Sequence, residues 1–585
     1  MAQVPLGGHA IAHSKWNLAQ SRRAPVQTST YVNPILPGWH SDPSCTFIPE
    51  WDDVFLCATS TFLAFPGIPI YSSRDLVTWR LVSHVFNRRE QLPKLAQASY
   101  QSDGIYAPTL RFHNGTLYLA TSFLSGLQLP RLVIFSTVNP YDDNAWSDPI
   151  DVAVSNYGYD PDLFWDDDGQ LYVSFAGYNT TRDTEIIQAT FNLETMETGN
   201  WSSIWGGTGA PYPEGPHIYK KDGLYYLLVA EGGTDVHHSV AIAHSSSVSG
   251  PYHSYTRNPI LTANDTANYF QTVGHADLFQ DKAGNWWGMA LATRSGPKFT
   301  VYPMGREAVL FSGTWEEGGW PELKSVEGSM SGPLPVKDGN PPGTGPFVDD
   351  GDSLDFAPGS ELPKQFLTWR PQPKSLFTVS PSGHPNTLRI APSRANLTGD
   401  GSFIAGNDSQ AFISRLQSAT FFNFSVEITF QPRHKDEEAG VSVFLTQLQH
   451  IDLGIVLLSS NDGNLSPRLR FRAETSGLPG VAAPKVIVRP VPSEWLSAPI
   501  RLRIWTPDNR TFAFSAAPAS HSGQEINVGS GSAEIVSGGE GKFTGALLGS
   551  YATSNGGNGT SPSYLRNWIY TPIAQQIDID TIVDI

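Results

Sequence analysis

The chain has 585 residues, more than one hydrophobic core normally serves, so we expect at least two domains. Hydrophobic residues make up 40% of it and charged residues only 16%, with 54 Gly and 45 Pro, a composition typical of an all-β protein rich in turns. The net charge of −17, with no run of basic residues, argues against nucleic acid as a partner, and no segment approaches the roughly 20 apolar residues of a membrane-spanning helix.

Residues 1–30 are polar and show no periodic pattern, so we expect an N-terminal arm on the surface. The arm lacks the basic start and apolar stretch of a signal peptide, which we expect to have been removed already. Sequons for N-glycosylation favour a secreted, extracellular glycoprotein, although such triplets also arise by chance in chains rich in Ser and Thr. The ten sequons begin at Asn114, Asn179, Asn200, Asn264, Asn396, Asn407, Asn423, Asn464, Asn509 and Asn558.

Residues 31–333 contain five copies of one pattern: a polar opening, an apolar strand, a tight turn and an aromatic-rich strand. The copies lie 53 to 65 residues apart, a spacing that suits the blades of a five-bladed β-propeller. The openings read SDPS from Ser41, YAPT from Tyr106, YDPD from Tyr159, EGPH from Glu214 and GHAD from Gly274. Equivalent strands of a propeller surround one axis, so Asp42, Asp160 and Glu214, which we place at one phase of the repeat, are expected to converge.

Each of these carboxylates also has a purely structural interpretation, because Asp before Pro is a common turn residue. Ala107 and Ala276 stand at the same phase in the other two repeats, so folding does not require an acid there. Three clustered acids suit glycoside hydrolysis, which needs one protonated and one ionised carboxylate with separated pKa values. We therefore predict Asp42, Asp160 and Glu214 as catalytic residues, with Glu214 as the acid.

Further site candidates come from the first, second and fifth repeats. His275 opens the fifth repeat and Arg294 ends its second strand, where a fixed cation would orient sugar hydroxyls. A hydrogen-bonded structural histidine and a surface ion pair are the alternatives for these two. Phe62, Trp39 and Tyr106 lie near the acidic positions, where an aromatic platform for a sugar would be, and ordinary packing explains each of them equally well.

Two short patterns lie in hairpin turns. Cys45 and Cys57 flank the first turn, so they are placed to pair across a hairpin as one disulfide. The run Asp166–Gly169 suggests calcium, but it lacks the later glutamate of an EF-hand loop, and we interpret it as a turn.

The repeat ends before a second domain. Residues 334–354 are dense in Pro, Gly and Asp and predict an inter-domain linker. Residues 355–585 alternate short strands with Gly, Pro, Asn and Ser turns, which predicts a jelly-roll-like β-sandwich. For the tail from Ile573 we leave open an edge strand or a loose end.

Several segments together resemble glycoside hydrolase family 43, in particular its fungal β-xylosidases and α-L-arabinofuranosidases. They read NPILPGWHSDPSC, STFLAFPGIPIYSSRDLVTW, YAPTLRF, YDPDLFWDDDG, EGPHIY and GHADLF, and the stretch from Phe356 onward resembles the sandwich that follows the propeller in those enzymes.

This resemblance implies roles for the three acids: Asp42 as general base to a water, Glu214 as general acid, and Asp160 as the residue that tunes and orients the acid. An inverting enzyme of this kind holds acid and base about 6.5 to 9.5 Å apart. The resemblance also implies that His275 lies beneath the pocket, in some relatives with calcium or water, and that Arg294 and Phe62 contact the terminal sugar. Tyr106 stands where many relatives carry Trp, and the sequence names no sandwich residue that closes the pocket.

We therefore expect an exo-acting, inverting glycosidase that releases terminal α-L-arabinofuranosyl groups from arabinoxylan. Its partners would be arabinoxylan or xylo-oligosaccharides, and it would act as a secreted monomer, with no cofactor required and calcium at most structural. A β-D-xylosidase is the near alternative, because loops set the difference between the two sugars. A carbohydrate-binding propeller without catalysis is the alternative of another class.

Overall fold

A computed structural model describes residues 29–126, 128–154, 157–178, 183–399, 401, 403–460 and 463–585. Residues 1–28 of the expected arm and the Asn179 sequon lie outside the described residues. The fold is all-β, as predicted, with two sheet-built regions in chain order. No helix in the described ranges is long and apolar enough to cross a membrane.

Five antiparallel sheets form the first region, one for each repeat of the sequence, and we call them blades 1 to 5. In each, a short turn joins the first two strands, as the Gly, Asn and Asp residues between them predict. Blade 1 contains Ser44–Ile48, Val54–Ala58, Gly67–Ser73 and Arg80–Phe86; blade 2, Gly104–His113, Thr116–Leu124, Arg131–Thr137 and Ile150–Val152; blade 3, Gly158–Trp165, Leu171–Tyr178, Thr184–Phe191 and Ser202–Trp205; blade 4, Glu214–Lys221, Leu224–Glu231, Ser239–Ser245, His253–Ser254 and Leu261–Thr262; blade 5, Phe270–Gln280, Trp286–Arg294, Glu307–Thr314 and Glu322–Leu323.

The first strand of every blade is the innermost one, and these five strands contact one another around a common axis. The ring is sealed beside blade 5, where Ser29–Val32 pairs with Ser329–Gly332. Asn33 strengthens this closure because its amide Nδ2 donates to the Leu310 carbonyl at 2.9 Å. The two hairpin predictions are confirmed, since Cys45 and Cys57 form a disulfide and the residues from Asp166 to Gly169 form a turn.

The connecting segment does not hang free between the two regions. Its backbone is bound to the outer strand of blade 1, with Leu81 N donating to Pro346 O at 3.0 Å and Val348 N donating to Trp79 O at 3.1 Å. Asp352–Leu354, which the sequence assigned to the linker, pairs with Ser563–Asp578 and so belongs to the second region. A strand there satisfies backbone groups that a buried linker would leave unpaired.

The second region is a sandwich of two antiparallel sheets around a core of aromatic and branched side chains that includes Phe424, Leu453 and Trp568. The larger sheet contains Phe377–Val379, Leu388–Ile390, Ser563–Asp578, Phe421–Phe430, Ile500–Asp508, Thr511–Pro518 and Ile526–Ser532, with Asp352–Leu354 and Thr581–Asp584 paired to Ser563–Asp578; the smaller contains Phe412–Leu416, Leu547–Thr553, Glu438–Thr446, Gln449–Ser459, Leu465–Glu474 and Ile487–Pro490. The C-terminal tail therefore ends as an edge strand, one of the two possibilities left open by the sequence.

The elements of the described residues that lie outside these sheets are short. Thr368–Trp369, which follows the first sandwich strand, pairs with Ala64–Phe65 of the propeller and ties the two regions together. The short 3-10 helices of the described chain are Pro49–Trp51, Pro93–Gln97, Asp143–Ala145, Lys374–Leu376, Ser493–Trp495, Ser522–Gln524, Ala533–Val536 and Gly539–Gly541.

Candidate active site

The predicted acids lie in one cavity of about 500 Å³, where the inner strands of the propeller begin, and we call it the axial cavity. Asp42, Asp160 and Glu214 all line it. The other lining residues come from all the blades and from the sandwich: Phe62, Ser102, Tyr106, Leu124, Tyr157, Tyr159, Tyr178, Tyr212, Gly232, Gly233, Thr234, Asp235, His237, His275, Arg306, Lys542 and Phe543.

A repeated backbone feature directs side chains into this cavity. Four inner strands break their pairing register just after the opening, and one residue per blade takes a left-handed φ between +49° and +57°. These left-handed residues are Asp42, Ala107, Asp160, Gly215 and His275. Such bulges bend a strand and re-aim its side chains, and here they do so beside the axis.

The prediction that Glu214 shares the phase of Asp42 and Asp160 is therefore wrong by one residue. The prediction for Ala276 is wrong in the same way, because His275 takes the left-handed position in blade 5. Glu214 precedes the left-handed position, so its structural equivalents are Tyr106 and Tyr159. Gly215 takes that position at φ +57°, and a Cβ there would lie 2.9 Å from the His275 ring. The close approach of His275 explains the glycine, since other residue types take the same φ in the other blades. Glu214 reaches the cavity from one step earlier with its longer side chain.

Asp42 is held as an ionised carboxylate. Arg306 Nη1 donates to its Oδ1 at 3.0 Å and the Ser60 hydroxyl donates to its Oδ2 at 2.6 Å. Burial alone would raise the pKa of Asp42, but the Arg306 guanidinium and the Ser60 hydrogen bond outweigh it, and the net result is a lowered pKa. An ionised carboxylate at the cavity wall is what a general base requires.

The surroundings of Asp160 and Glu214, unlike those of Asp42, favour the protonated form. Burial, followed by the neighbouring Glu214 and Asp42 charges, raises the pKa of Asp160 well above its ordinary value. Burial and the Asp42 charge raise the pKa of Glu214 to about 7. The pair therefore retains a proton near neutral pH. Asp160 is buried and accepts a hydrogen bond from Gly215 N at 3.2 Å, whereas Glu214 is half-buried and is the better placed of the two to meet a ligand.

His275 is buried and lines the axial cavity. Its Nδ1 is 3.9 Å from Asp42 Oδ1 and 4.0 Å from Asp160 Oδ2. Burial lowers the pKa of His275 to about 4, so the ring is neutral at physiological pH and donates or accepts hydrogen bonds without adding charge.

His275, Asp160 and Glu214 offer one ligand atom each within 4.8 Å of the others. This group does not fit the expected calcium, because calcium takes six to eight oxygen ligands and the group offers two carboxylate oxygens and an imidazole nitrogen. Metal binding there would also remove the proton that Glu214 holds.

The arginine of the site is Arg306, and the prediction for Arg294 is wrong. Arg294 ends the second strand of blade 5, one strand away from the axis, and its guanidinium pairs with Glu307 at 2.7 Å while also donating to Thr420 and Gln575 of the sandwich. Arg306 ends the long loop between the second and third strands of blade 5 and lines the axial cavity. The repeat pattern gave no signal for it, because loops do not follow the strand period.

Two of the three aromatic predictions agree with the structure and one does not. Phe62 and Tyr106 line the cavity and stack with ring centroids 5.2 Å apart. Trp39 does not line it, which corrects the prediction; it is buried and packs against Phe62 with centroids 6.1 Å apart. Its role is to support Phe62 rather than to touch a ligand.

The sandwich supplies the residue that the sequence left unnamed. Phe543 stacks on Phe62 with centroids 5.8 Å apart and an interplanar angle of 4°, and its carbonyl accepts hydrogen bonds from Arg306. Lys542 lies beside it at the cavity wall. The axial cavity is therefore complete only when both regions are docked.

Comparisons with known proteins agree with this geometry. The model of glycosyl hydrolases family 43 matches residues 31–321, and that of the beta xylosidase C-terminal Concanavalin A-like domain matches residues 353–570. A non-reducing end alpha-L-arabinofuranosidase of Bacteroides ovatus is 32% identical over 544 residues, covering 91% of this chain and 93% of that protein. A xylosidase/arabinosidase of Butyrivibrio fibrisolvens is 31% identical and covers 72% of this chain and 79% of that protein.

Among solved structures, a xylan beta-1,4-xylosidase from Bacillus halodurans superposes with a TM-score of 0.79 at 26% identity, covering 92% of this chain and 100% of that one. Because both the catalytic propeller and the sandwich match, and the relative from Bacteroides ovatus does so over nearly its full length, the chain belongs to glycosyl hydrolases family 43.

Proposed function

We propose that this glycoside hydrolase releases terminal α-L-arabinofuranosyl groups from arabinoxylan or its oligosaccharides with inversion of the anomeric centre. The observation that carries the proposal is the separation of proton affinities in one cavity, where Arg306 keeps Asp42 ionised and burial keeps a proton on the Asp160 and Glu214 pair. A carbohydrate-binding propeller without catalysis would have no use for this separation.

The chemistry follows from these charge states. Glu214 donates its proton to the glycosidic oxygen as the bond to the anomeric carbon breaks, and Asp42 accepts a proton from the water that attacks the opposite face of the sugar. Asp160, held by Gly215 N, shares the retained proton with Glu214, and in the reactive form Glu214 carries it. Each turnover leaves Glu214 ionised and Asp42 protonated, and exchange with solvent restores both.

The shape of the axial cavity supports action at chain ends. The stacked pair Phe62 and Phe543 forms one wall, and the guanidinium of Arg306 lies 5.2 Å from the Phe543 ring centroid. A cavity walled in this way by both regions accommodates a terminal sugar, whereas an internal backbone segment needs a groove open at both ends. Tyr212, which is 53% exposed, lies near the mouth, where the leaving portion of the substrate would stack.

A β-D-xylosidase activity is the second candidate. Its support is the sandwich, which matches the C-terminal domain of beta xylosidases, and the Bacillus halodurans enzyme of the same architecture. Both sugars are pentoses of similar size, so a few loop contacts decide between them.

Product analysis tests the proposal. Arabinoxylan and xylobiose are incubated separately with the enzyme, and released sugars are separated by chromatography while NMR records the anomer formed first. Arabinose with inverted configuration is expected from arabinoxylan; xylose from xylobiose, without arabinose from arabinoxylan, favours the second candidate. No released sugar from either substrate, or a retained anomer, contradicts the mechanism.

The pH profile provides a second test. Because the pKa of Asp42 is lowered and that of Glu214 is raised to about 7, kcat/KM should decline as the pH rises above about 7 and should persist on the acid side to below the usual range of an aspartate. A profile that keeps rising through pH 8 contradicts the assignment of the acid.

We also propose that the protein is a secreted, N-glycosylated monomer. Its support is the Cys45–Cys57 disulfide, which suits an oxidising compartment, and the exposed sequon residues Asn114, Asn200 and Asn558. A mobility shift after treatment of the secreted protein with an N-glycosidase, and a mass near that of one chain by light scattering, are the expected results. Recovery only inside cells, or a dimer mass, contradicts this.

A further inference from the structure

We infer that the cleft between blade 5 and the sandwich is a second carbohydrate site, which binds a neutral xylan chain next to the catalytic cavity. This inter-domain cleft has a volume of about 470 Å³, close to the 500 Å³ of the axial cavity. It is lined by Tyr269, Arg294, Ser295, Gly296, Pro297, Lys298, Thr300, Val301, Pro303, Met304, Gln417, Thr420, Thr506, Asp508, Asn509, Arg510, Thr511, Phe512, Ala533, Gln576 and Ile579.

The lining has the chemistry of a sugar site. Nine of the 21 lining residues carry a hydroxyl or amide group among apolar side chains, and the ring of Tyr269 provides an aromatic surface of the kind on which sugar faces stack. Gln417 is only 1% exposed, and its Oε1 has no hydrogen-bond partner among the described residues. A buried acceptor without a donor costs free energy, and a hydroxyl-rich ligand or an ordered water would satisfy it.

The charges of the cleft favour a neutral ligand over an anion. Arg294 is the buried cation, yet its guanidinium is already occupied by both oxygens of Glu307, by Gln575 Oε1 at 2.8 Å and by Gln576 O at 2.8 Å. It therefore joins propeller to sandwich and has little left for a ligand. The exposed charges at the rim have both signs, since Lys298 and Arg510 stand with Asp508.

The position of the cleft links it to catalysis. The loop between Arg294 and Glu307 separates the two cavities: Ser295 and Met304 line the cleft, and Arg306, two residues after Met304, contacts Asp42 in the axial cavity. A polysaccharide held in the cleft would keep its side groups near the axial cavity and raise their local concentration there. This inference rests on the proposed substrate class, xylan, but not on which pentose is released.

The test uses an obstructing variant with a matched control. Thr300→Trp fills the cleft from an exposed position; Thr314→Trp adds the same side chain at an exposed position of blade 5 that lines neither cavity. Protein from a bacterial host carries no glycan on the Asn509 sequon. Migration is measured in native gels with and without soluble arabinoxylan, and kcat/KM is measured on arabinoxylan and on the 4-nitrophenyl glycoside of the released pentose.

Thr300→Trp is expected to lose most of the retardation by arabinoxylan and about fivefold or more in kcat/KM on the polymer, with the small glycoside unaffected. Thr314→Trp should match the wild type in all measurements. Equal retardation of the two variants, or a parallel loss on both substrates, overturns the inference. Because gel retardation needs no turnover, a wrong assignment of the released pentose leaves that result readable, whereas absence of retardation in the wild type defeats the second site alone.

Discussion

Two layers of polar side chains lie along the propeller axis, and they treat their carboxylates in opposite ways. In the catalytic layer, Asp42 contacts Arg306, and the neighbouring pair of Asp160 and Glu214 has no direct cation partner among the described residues. Two residues further along the inner strands of blades 3 and 5 lie Asp162 and Asp277. Arg111 bridges them, at 2.7 Å and 2.9 Å.

In the deeper layer both carboxylates have a cation partner, Arg111. Asp277 accepts hydrogen bonds from the Ser44 hydroxyl at 2.6 Å and the Tyr219 hydroxyl at 2.7 Å in addition to Arg111. Burial would raise the pKa of Asp277, but Arg111, His217 and the Ser44 hydrogen bond lower it to about 2. Clustered acids alone therefore do not separate proton affinities. In the catalytic layer only Asp42 has a cation partner, and this difference separates its pKa from those of Asp160 and Glu214, as acid and base catalysis requires.

The largest expected effect is the loss of the acid. Glu214→Gln should lower kcat on arabinoxylan by about 10²–10⁴-fold, because no proton reaches the leaving oxygen, and should lower it much less on a nitrophenyl glycoside, whose leaving group needs little protonation. Steady-state kinetics on both substrates measure this. Asp42→Asn removes the base and should reduce kcat to a similar extent on both substrates.

Glu231→Gln is the matched control for the acid. Glu231 is a buried glutamate of the same blade with a raised pKa caused by burial, but it bonds Thr208 and lies outside the axial cavity. Its variant should keep near wild-type kcat. An equal loss in Glu231→Gln and Glu214→Gln would mean that the effect is structural.

The next effect should be on stability rather than on rate. Arg111→Met leaves Asp162 and Asp277 buried without their cation, which typically costs about 3–5 kcal/mol. Urea denaturation followed by tryptophan fluorescence measures it. Arg131→Met breaks a surface pair with Asp151 in the same blade and should cost less than about 1 kcal/mol. Similar losses in both variants would contradict the distinction between the layers.

A moderate effect is expected at the cation of the catalytic layer. Arg306→Met removes the charge that lowers the pKa of Asp42, so the acid limb of kcat/KM should move to higher pH, by about 1–3 units. A pH series on a small glycoside measures the shift. Arg294→Met, the arginine first predicted from the sequence, should weaken the docking of the sandwich and leave that limb in place; movement in both variants refutes the assignment.

The smallest effect concerns the hydrogen bond from Tyr159 to Glu214, which lowers the pKa of that acid. Tyr159→Phe should therefore raise the pKa of Glu214 and extend the alkaline limb upward by less than about one unit. Tyr172→Phe, in the next strand of blade 3 and outside the axial cavity, is the control. A shift of the alkaline limb to lower pH in Tyr159→Phe would contradict this prediction.

Much of the architecture could be predicted because it is periodic. Five copies of a strand-turn-strand pattern predict five blades, and the change to short alternating strands after residue 354 predicts a sandwich. The placement of Asp42, Asp160 and Glu214 around one axis follows from that repetition. The one-residue error at Glu214 has a physical origin: the bulge needs a left-handed residue, and in blade 4 that residue is Gly215.

Local spacing in the sequence is enough to predict the all-β class, the blades, the hairpin disulfide and the three acids. The distant groups that meet these acids could not be predicted in this way, because they depend on tertiary packing. Arg306 reaches Asp42 from a loop, Phe543 reaches Phe62 from the other domain, and Arg294 faces the sandwich instead of the axis. Contacts between loops and between domains depend on how whole sheets pack, and no periodicity of the chain encodes them.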